Sequence, residues 1–328
     1  MHVELFVPAL LARPGAGQRL PALELLLARA RRRSGESMTL EARLLDAFGA
    51  APDTLPAGAL TVAAEGGDPG DSLWLRADPV HLAQQREVLV VMPPPAIRVA
   101  RDEADAMVQA LNSHFGTELE LHAAHPERWC AKLAAPAALQ ALTPMQAAGR
   151  KLDAVLPGGD ARRWHALMNE AQMLLHAHPA NTAREARGEH TVNSLWFWGL
   201  GAAPAKLRDY WHSVSADDAI ARGLGRLSGA RVRALPAGAD VLLAGLPDGG
   251  RHIVVLDALR SADALGDAGG WSAALAALEA RWIAPLVQAL RADRIGMITL
   301  HVPDADESRS HELVRGDLRR FWRRPRPL

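Results

Sequence analysis

One cysteine stands in 328 residues. With no second thiol an internal disulfide is excluded, and the expected compartment is a reducing one. Cys130 adjoins Trp129 in a strand-like stretch and reads as a buried, inert thiol. An excess of charge is also missing, because Lys plus Arg and Asp plus Glu number 37 each. Nucleic-acid binding draws on clustered positive charge that releases counterions, so no nucleic-acid partner is expected. The basic runs Arg29–Arg33 and Arg319–Arg326 are short and read as a solvated helix end and a basic tail. No stretch reaches ~18 uninterrupted apolar residues, so no membrane span is expected. The first residues carry no positive segment, and Glu4 breaks their apolar run, which argues against a signal peptide. The expected location is the cytoplasm. Internal repeats and low-complexity tracts are absent as well.

What is present is a globular composition, 49% hydrophobic and 23% charged, in a chain long enough for two domains. Residues 3 to 7 alternate as a strand before Pro8, and Pro21 opens a helix with Leu23, Leu26 and Leu27 on one side. A second helix is expected from Thr39 to Phe48. Gly66–Gly70 is the best linker, and Pro93–Pro95 marks a break. Helices at 102–115 and 160–176 flank a strand pair at 118–122 and 129–133. Beyond residue 190 strands and helices alternate: strands at 194–198, 231–234, 252–257 and 297–301, helices at 216–227 and 270–290. Such alternation implies an α/β layer with a largely parallel sheet. Gly223-x-Gly225 falls within a helix rather than after a strand, so it reads as close packing, not a dinucleotide loop.

The densest string of committed residues is Asn181, Arg184, Gly188, Asn193 and then Leu195-Trp196-Phe197-Trp198-Gly199-Leu200-Gly201. It resembles the corresponding stretch of cofactor-independent phosphoglycerate mutases of the archaeal type, members of the alkaline phosphatase superfamily. The likeness continues through Ala219–Ala239, with Gly223, Gly225, Gly229, Pro236 and Gly238. It extends more loosely to Leu20–Ala28 and to Leu73–His81, where Arg76 is retained. The Trp74-Leu-Arg-Ala-Asp-Pro-Val-His81 segment and the Trp-Gly-x-Gly segment also resemble bacterial regulatory proteins of RpfE type. The resemblance implies an alkaline-phosphatase-like layered α/β domain with a mostly parallel sheet and an inserted smaller α+β lobe. The expected division is 1–70 plus 182–328 for the α/β domain and 71–181 for the lobe.

The resemblance also implies a site of two divalent metals that activate a serine. Here the matching positions are depleted. The first strand runs into Pro8, the nucleophile falls on Thr39 or Leu40, a metal histidine is replaced near Leu265, and an aspartate gives way to Leu300 beside His301. A zinc site needs about three protein ligands, and His301 and His311 with Asp257, Asp263 or Asp304 are the remaining candidates. The expectation is therefore no catalytic residue and no resident cofactor, or, if the chain is active, a divalent metal such as manganese or zinc.

Three readings of function stay open. One is a non-catalytic relative with a regulatory or phosphometabolite-sensing role. A second is an active phosphoglycerate mutase or phosphohydrolase with a rebuilt site, and a third is a protein-interaction module. For the first, the candidate ligand residues are Arg76, Arg98, Asn181, Arg184, Asn193 and Trp198. Guanidinium groups offer a fork that fits phosphate, and Trp196 and Trp198 share one strand face as an apolar wall or stacking surface. Arg184 is expected near a junction of lobes, as an anion contact or as a strut to Glu170 or Glu185. The expected partners are a phosphorylated small molecule or a protein.

Overall fold

The computed structural model describes residues 1–13, 18–52, 54–85, 88–92, 97–116, 118–148, 160–247, 249–304 and 307–327. The Pro93–Pro95 break lies outside them. The chain divides into two compact units, Met1–Pro52 with Lys206–Leu328, and Asp53–Ala205.

The first stretch of unit 1 carries β1 (His2–Phe6), α1 (Pro21–Arg29), β2 (Arg31–Gly35) and α2 (Leu40–Phe48). Unit 2 opens with α3 (Ala57–Ala64) and continues through β3 (Trp74–Val80), β4 (Leu82–Gln85), β5 (Val88–Val91) and α4 (Arg101–Phe115). It then has β6 (Leu119–His125), β7 (Arg128–Leu133), α5 (Pro144–Ala147), α6 (Ala161–His176), α7 (Pro179–Ala186) and β8 (Ser194–Gly201). Unit 1 resumes with β9 (Ser213–Ser215), α8 (Ala219–Leu227), β10 (Arg231–Arg233), α9 (Ala239–Gly245), β11 (Arg251–Val255) and α10 (Ala258–Ala264). It closes with α11 (Ala268–Leu278), a π-helical turn at Glu279–Ile283, α12 (Ala284–Arg291), β12 (Met297–Val302) and β13 (Ser308–Val314).

The sheet of unit 1 has the order β10-β9-β11-β1-β12-β13-β2, and only β13 runs against the rest, pairing antiparallel with both β12 and β2. The mixed α/β architecture with a mostly parallel sheet is the one expected. Its alternation sorts the two faces. Val3, Leu5, Ile298, Leu300, Val302 and Leu313 enter an apolar core with α1, α9, α11 and α12. Glu4, Phe6, Thr299 and His301 point to the other face, where α2 and α8 lie. Gly225 lets α8 approach, since a Cβ there would stand 2.8 Å from Val214 and 2.9 Å from Val232. The glycine is thus a packing residue, as its place inside a helix suggested.

One local expectation is overturned in unit 1. The run Arg31–Arg33 is not a helix end: Ala30 closes α1 in extended geometry, and Arg31–Gly35 forms a fully exposed edge strand on β13. A charged edge resists further strand addition, which suits arginine there. The 24-residue segment Ala268–Arg291 is long and apolar enough to span a membrane by length and composition alone. In this structure its Trp271, Leu275, Ile283, Leu286 and Leu290 belong to the core of unit 1.

Unit 2 has an antiparallel sheet, β6-β7-β3-β8, and a β4-β5 hairpin. The division falls at Pro52 and Ala205 rather than near 70 and 182, for a physical reason. Helix α3 packs on β3 and β8 through Gly58, where a Cβ would meet the Leu75 backbone at 2.4 Å. Strand β8 is hydrogen-bonded to β3 along its length. Both elements flank the expected boundaries and both belong with the antiparallel sheet.

Candidate functional site

In an open α/β sheet, ligand chemistry gathers beyond the carboxyl ends of the strands. In unit 1 that edge receives the ends of β1, β9, β11 and β12 and the N-termini of α2, α8 and α10. Thr39, on the expected nucleophile position, is the N-cap of α2, and its Oγ1 accepts from the Ala42 N–H at 3.2 Å. Asp218 caps α8 by accepting from Ala221 N–H at 2.8 Å. Asp257 precedes α10 as its N-cap residue.

Two buried networks lie on the polar face. In the first, His301 Nε2 lies 2.8 Å from Glu4 Oε2, and Arg43 Nη2 lies 3.2 Å from His301 Nδ1. Since Arg43 can only donate, His301 accepts at Nδ1 and donates from Nε2 to Glu4. Arg251 reaches the other Glu4 oxygen at 2.7 Å. Burial pushes the Glu4 carboxyl up, but the bonds from His301 and Arg251 outweigh it and hold the group at about 2. His301 is lowered, first by burial and then by Arg43, against the pull of Glu4. The imidazole is therefore neutral beside an ionised carboxylate, and both its nitrogens are engaged.

In the second network Arg260 Nη2 donates to Glu41 Oε1 at 2.6 Å. Glu41 is 4% exposed, and its second oxygen, Oε2, is buried with no hydrogen-bond partner. Burial raises Glu41 most, yet the Arg260 charge and the hydrogen bonds from its own backbone N–H, from Arg260 and from Thr39 together outweigh it, and the carboxyl stays below its usual value. Asp218, partly buried, is pushed up to about 6, chiefly by burial and further by the charges of Glu41 and Asp257, against the Ala221 N–H. Asp218 and Asp257 act on Arg260 as well.

The metal candidates do not converge. Leu300 pairs with His311 across the ladder and His301 with Ser310, so the two histidines point to opposite faces of the sheet. His311 is inside β13 and 5% exposed, and neither ring nitrogen has a partner. Asp263 pairs with Arg13 at 3.3 Å. Among the described residues no group of three or more His, Cys, Asp or Glu is placed to hold a metal ion. The donors among the described residues do not fit a divalent metal site.

The six candidate ligand residues all lie in unit 2, and most are committed to internal bonds. Arg76 gives Nε to Asp78 Oδ1 at 2.9 Å and Nη1 to Thr61 Oγ1 at 3.3 Å. Trp198 donates to the other Asp78 oxygen at 2.7 Å, and the Arg76 guanidinium lies 5.2 Å from its ring centroid. Asn181 takes Val192 N–H and gives to the Leu175 and Val192 carbonyls, tying α6 and α7 to the start of β8. Asn193 exchanges two bonds with the Leu82 backbone, at 2.7 and 3.0 Å, in the manner of a strand neighbour.

Arg184 is 2% exposed. Its Nη1 meets Glu103 Oε2 at 2.6 Å and its Nε meets the His190 carbonyl at 2.8 Å. Neither Glu170 nor Glu185 is the partner, and all these contacts lie inside unit 2 rather than at a junction of lobes. Arg98 alone stays largely open, its side chain 80% exposed beside Glu127 at 3.5 Å. It borders a groove of about 1020 Å³ along α4 and α7, with Glu103, His178, Arg187 and Glu189.

Sequence reading missed Glu4, Glu41, Asp78, Glu103, Asp218 and Arg260. Only Asp78 left a local signal, because Arg76 and Asp78 are two apart on one strand and must share a face.

No family model matches the chain. Curated relatives do. Over 110 residues it is 29% identical to the 2,3-bisphosphoglycerate-independent phosphoglycerate mutase of Methanosarcina barkeri, covering 32% of this chain and 28% of that protein. Over 139 residues it is 30% identical to a probable enzyme of the same name from Geobacter sulfurreducens, covering 39% and 33%. Over 148 residues it is 28% identical to the Methanosarcina acetivorans protein, covering 44% and 36%. The matched stretches thus span about a third of those relatives' length. In structure the chain is similar to the PH0037 protein of Pyrococcus horikoshii, with a TM-score of 0.61 at 14% identity over 95% of this chain and 87% of that one. The chain is a mixed α/β protein with partial sequence homology to the 2,3-bisphosphoglycerate-independent phosphoglycerate mutases.

Proposed function

We propose that the protein is a non-catalytic, phosphoglycerate-mutase-like regulatory protein of the cytoplasm. The observation that carries this reading is the closure of the strand-end edge upon itself. His301, which the likeness would make a metal ligand, spends one nitrogen on Glu4 and the other on Arg43. Thr39 caps a helix, and Glu41 is bound to Arg260. General-base or nucleophilic work needs a group within reach of substrate and free to exchange a proton, and these groups are committed to one another. The lone thiol is equally inert, since burial pushes Cys130 up to about 12. A regulatory role agrees with the resemblance to bacterial RpfE-type proteins.

The ligand side of this reading moves to the groove of unit 2. Arg98 and the half-exposed Arg187 flank it and offer donors to a phosphorylated small molecule. The test is phosphorus NMR of 3-phosphoglycerate with the full chain, with and without added manganese. No conversion is expected. Conversion that disappears in His301→Gln would overturn the non-catalytic reading. Thermal stabilisation by 3-phosphoglycerate that vanishes in Arg98→Gln is the expected signature of the groove.

A further inference from the structure

Beyond β13 a short 3-10 helix, Arg315–Arg319, leads the chain to the corner of unit 1 where α1 gives way to β2. Its Leu318 packs against the apolar core, and its Asp317, 4% exposed, holds Arg320 at 2.7 Å. Arg29 donates to the Leu318 carbonyl, and Arg320 and Arg323 donate to the Arg29 and Ala30 carbonyls at 3.1 and 3.0 Å. These bonds pin the backbone on either side of Phe321 and Trp322 while the two rings stay outside. Phe321 is 78% exposed and Trp322 66%, and the rings meet edge to face with centroids 5.3 Å apart. Single exposed apolar side chains are ordinary, but two adjoining rings anchored at the surface form an apolar patch that gains by leaving water.

The charge around the rings has one sign. Glu307 is taken by Arg32 and Arg309, Glu312 by Arg33, Asp293 by Arg315 and Asp317 by Arg320. Arg31, Arg319, Arg323, Arg324 and Arg326 are left with no carboxylate partner among the described residues, and all five are exposed. Arg31 opens the exposed strand β2, next to the Ala30 carbonyl that holds Arg323. We propose that this corner is a peripheral docking site for an anionic lipid surface, with Phe321 and Trp322 entering the interface and the free arginines meeting headgroup phosphates. Guanidinium forks fit phosphate oxygens, and aromatic rings settle at the level of the headgroups. Apolar burial and attraction to anionic lipid add, and the two together hold a protein to a surface that neither would hold alone. Single-stranded nucleic acid offers phosphates as well, but its successive bases stack on open ring faces. Here the two ring planes stand at 83°, so the edge of one ring meets the face of the other and no stacked pair of platforms is presented. The docking site does not depend on whether the strand-end edge is catalytic.

The experiment is co-sedimentation of the full chain with vesicles of phosphatidylcholine alone and of equimolar phosphatidylcholine and phosphatidylglycerol, at low and high salt. The wild type should bind the anionic vesicles, release them as salt rises, and leave the neutral ones largely free. The double variant Phe321→Ser, Trp322→Ser should lower binding to anionic vesicles by ~10-fold or more, and so should the triple variant Arg319→Gln, Arg324→Gln, Arg326→Gln. Both should keep the wild-type melting temperature, since the altered side chains are exposed. Brominated lipid should quench part of the wild-type tryptophan emission, and that part should vanish in Trp322→Phe while vesicle binding persists. Failure of the wild type to sediment with anionic vesicles at low salt overturns the proposal. So does sedimentation of both multiple variants as strong as wild type, or quenching that survives Trp322→Phe. Tighter binding to a single-stranded oligonucleotide than to anionic vesicles, lost in the Phe321→Ser, Trp322→Ser variant, overturns it in favour of nucleic acid.

Discussion

Arg184 offers the sharpest separation between a ligand contact and a structural strut. It is 2% exposed, with one nitrogen on Glu103 and another on the His190 carbonyl. Removing one partner of a buried ion pair usually costs ~3–5 kcal/mol. Here the orphaned Glu103 keeps Arg187 at 2.6 Å and the Ala100 N–H at 3.0 Å, so the ion-pair part should fall at the low end, about 2–3 kcal/mol. Loss of the donor to His190 adds about 1 kcal/mol. Arg184→Met should therefore destabilise unit 2 by about 3–4 kcal/mol, a fall of roughly 10 °C for a unit of this size. Arg184→Lys keeps the charge but not the fork, and should cost ~1–2 kcal/mol.

The same pair has a pH signature. Glu103 is raised by burial, but the Ala100 N–H, Arg187 and Arg184 together hold it below its usual 4.5. A depressed carboxyl stabilises the fold fully above its unfolded value, and that stability is lost as pH falls from about 4.5 through the lower folded value. Urea unfolding of the full chain between pH 7 and pH 3 should show this slope in wild type and a shallower one in Glu103→Gln. Arg184→Lys with an unchanged melting temperature and a weakened response to a phosphorylated ligand would refute the strut and restore the contact.

Two further outcomes test the packing. His311 is buried without a partner and lowered to about 4, first by burial and then by Arg32 and Arg309. The unfolded chain binds its proton near 6.5, so stability should decline as pH falls from 6.5 toward 4, by about 3 kcal/mol in all. His311→Leu should leave stability at pH 7 unchanged or higher and flatten that decline, and an equally steep decline in the variant would show that another group titrates. Gly199 has φ +63° and a Cβ there would lie 2.3 Å from Ala57 Cβ, whereas Gly188 has φ +72° and nothing within 4 Å. Gly199→Ala should cost ~3 kcal/mol or more and Gly188→Ala only ~1 kcal/mol; equal costs would show that the close approach to α3 is not what requires glycine at 199.

The Gly199 contrast bears on what was legible in the sequence. The alternation of strands and helices after residue 190 reads directly as a parallel α/β sheet, because period and turn chemistry are local properties. The Trp196-Phe-Trp198-Gly199-Leu-Gly201 string is just as conspicuous, yet its work is packing. Between Trp198 and Gly201 the β3-β8 register slips past Arg76 and Trp74. At that irregularity Gly199 turns left-handed and lets Ala57 in, while Gly201 admits Pro56 at 3.0 Å. Conspicuous residues were therefore committed to geometry, and Arg76, Asn181, Arg184 and Asn193 followed them into the interior of unit 2. The polar chemistry of unit 1 is carried by residues with no local pattern at all. Glu4 and His301 are 297 positions apart and Glu41 and Arg260 are 219 apart. Neighbouring parallel strands bring the first pair side by side, as Phe6 registers with His301 across the ladder. Spacing along the chain says nothing about such a meeting; only the order of strands in the sheet does. A reading that takes residues by their density in sequence will thus find the scaffold first, and the charged edge only once the sheet is assembled.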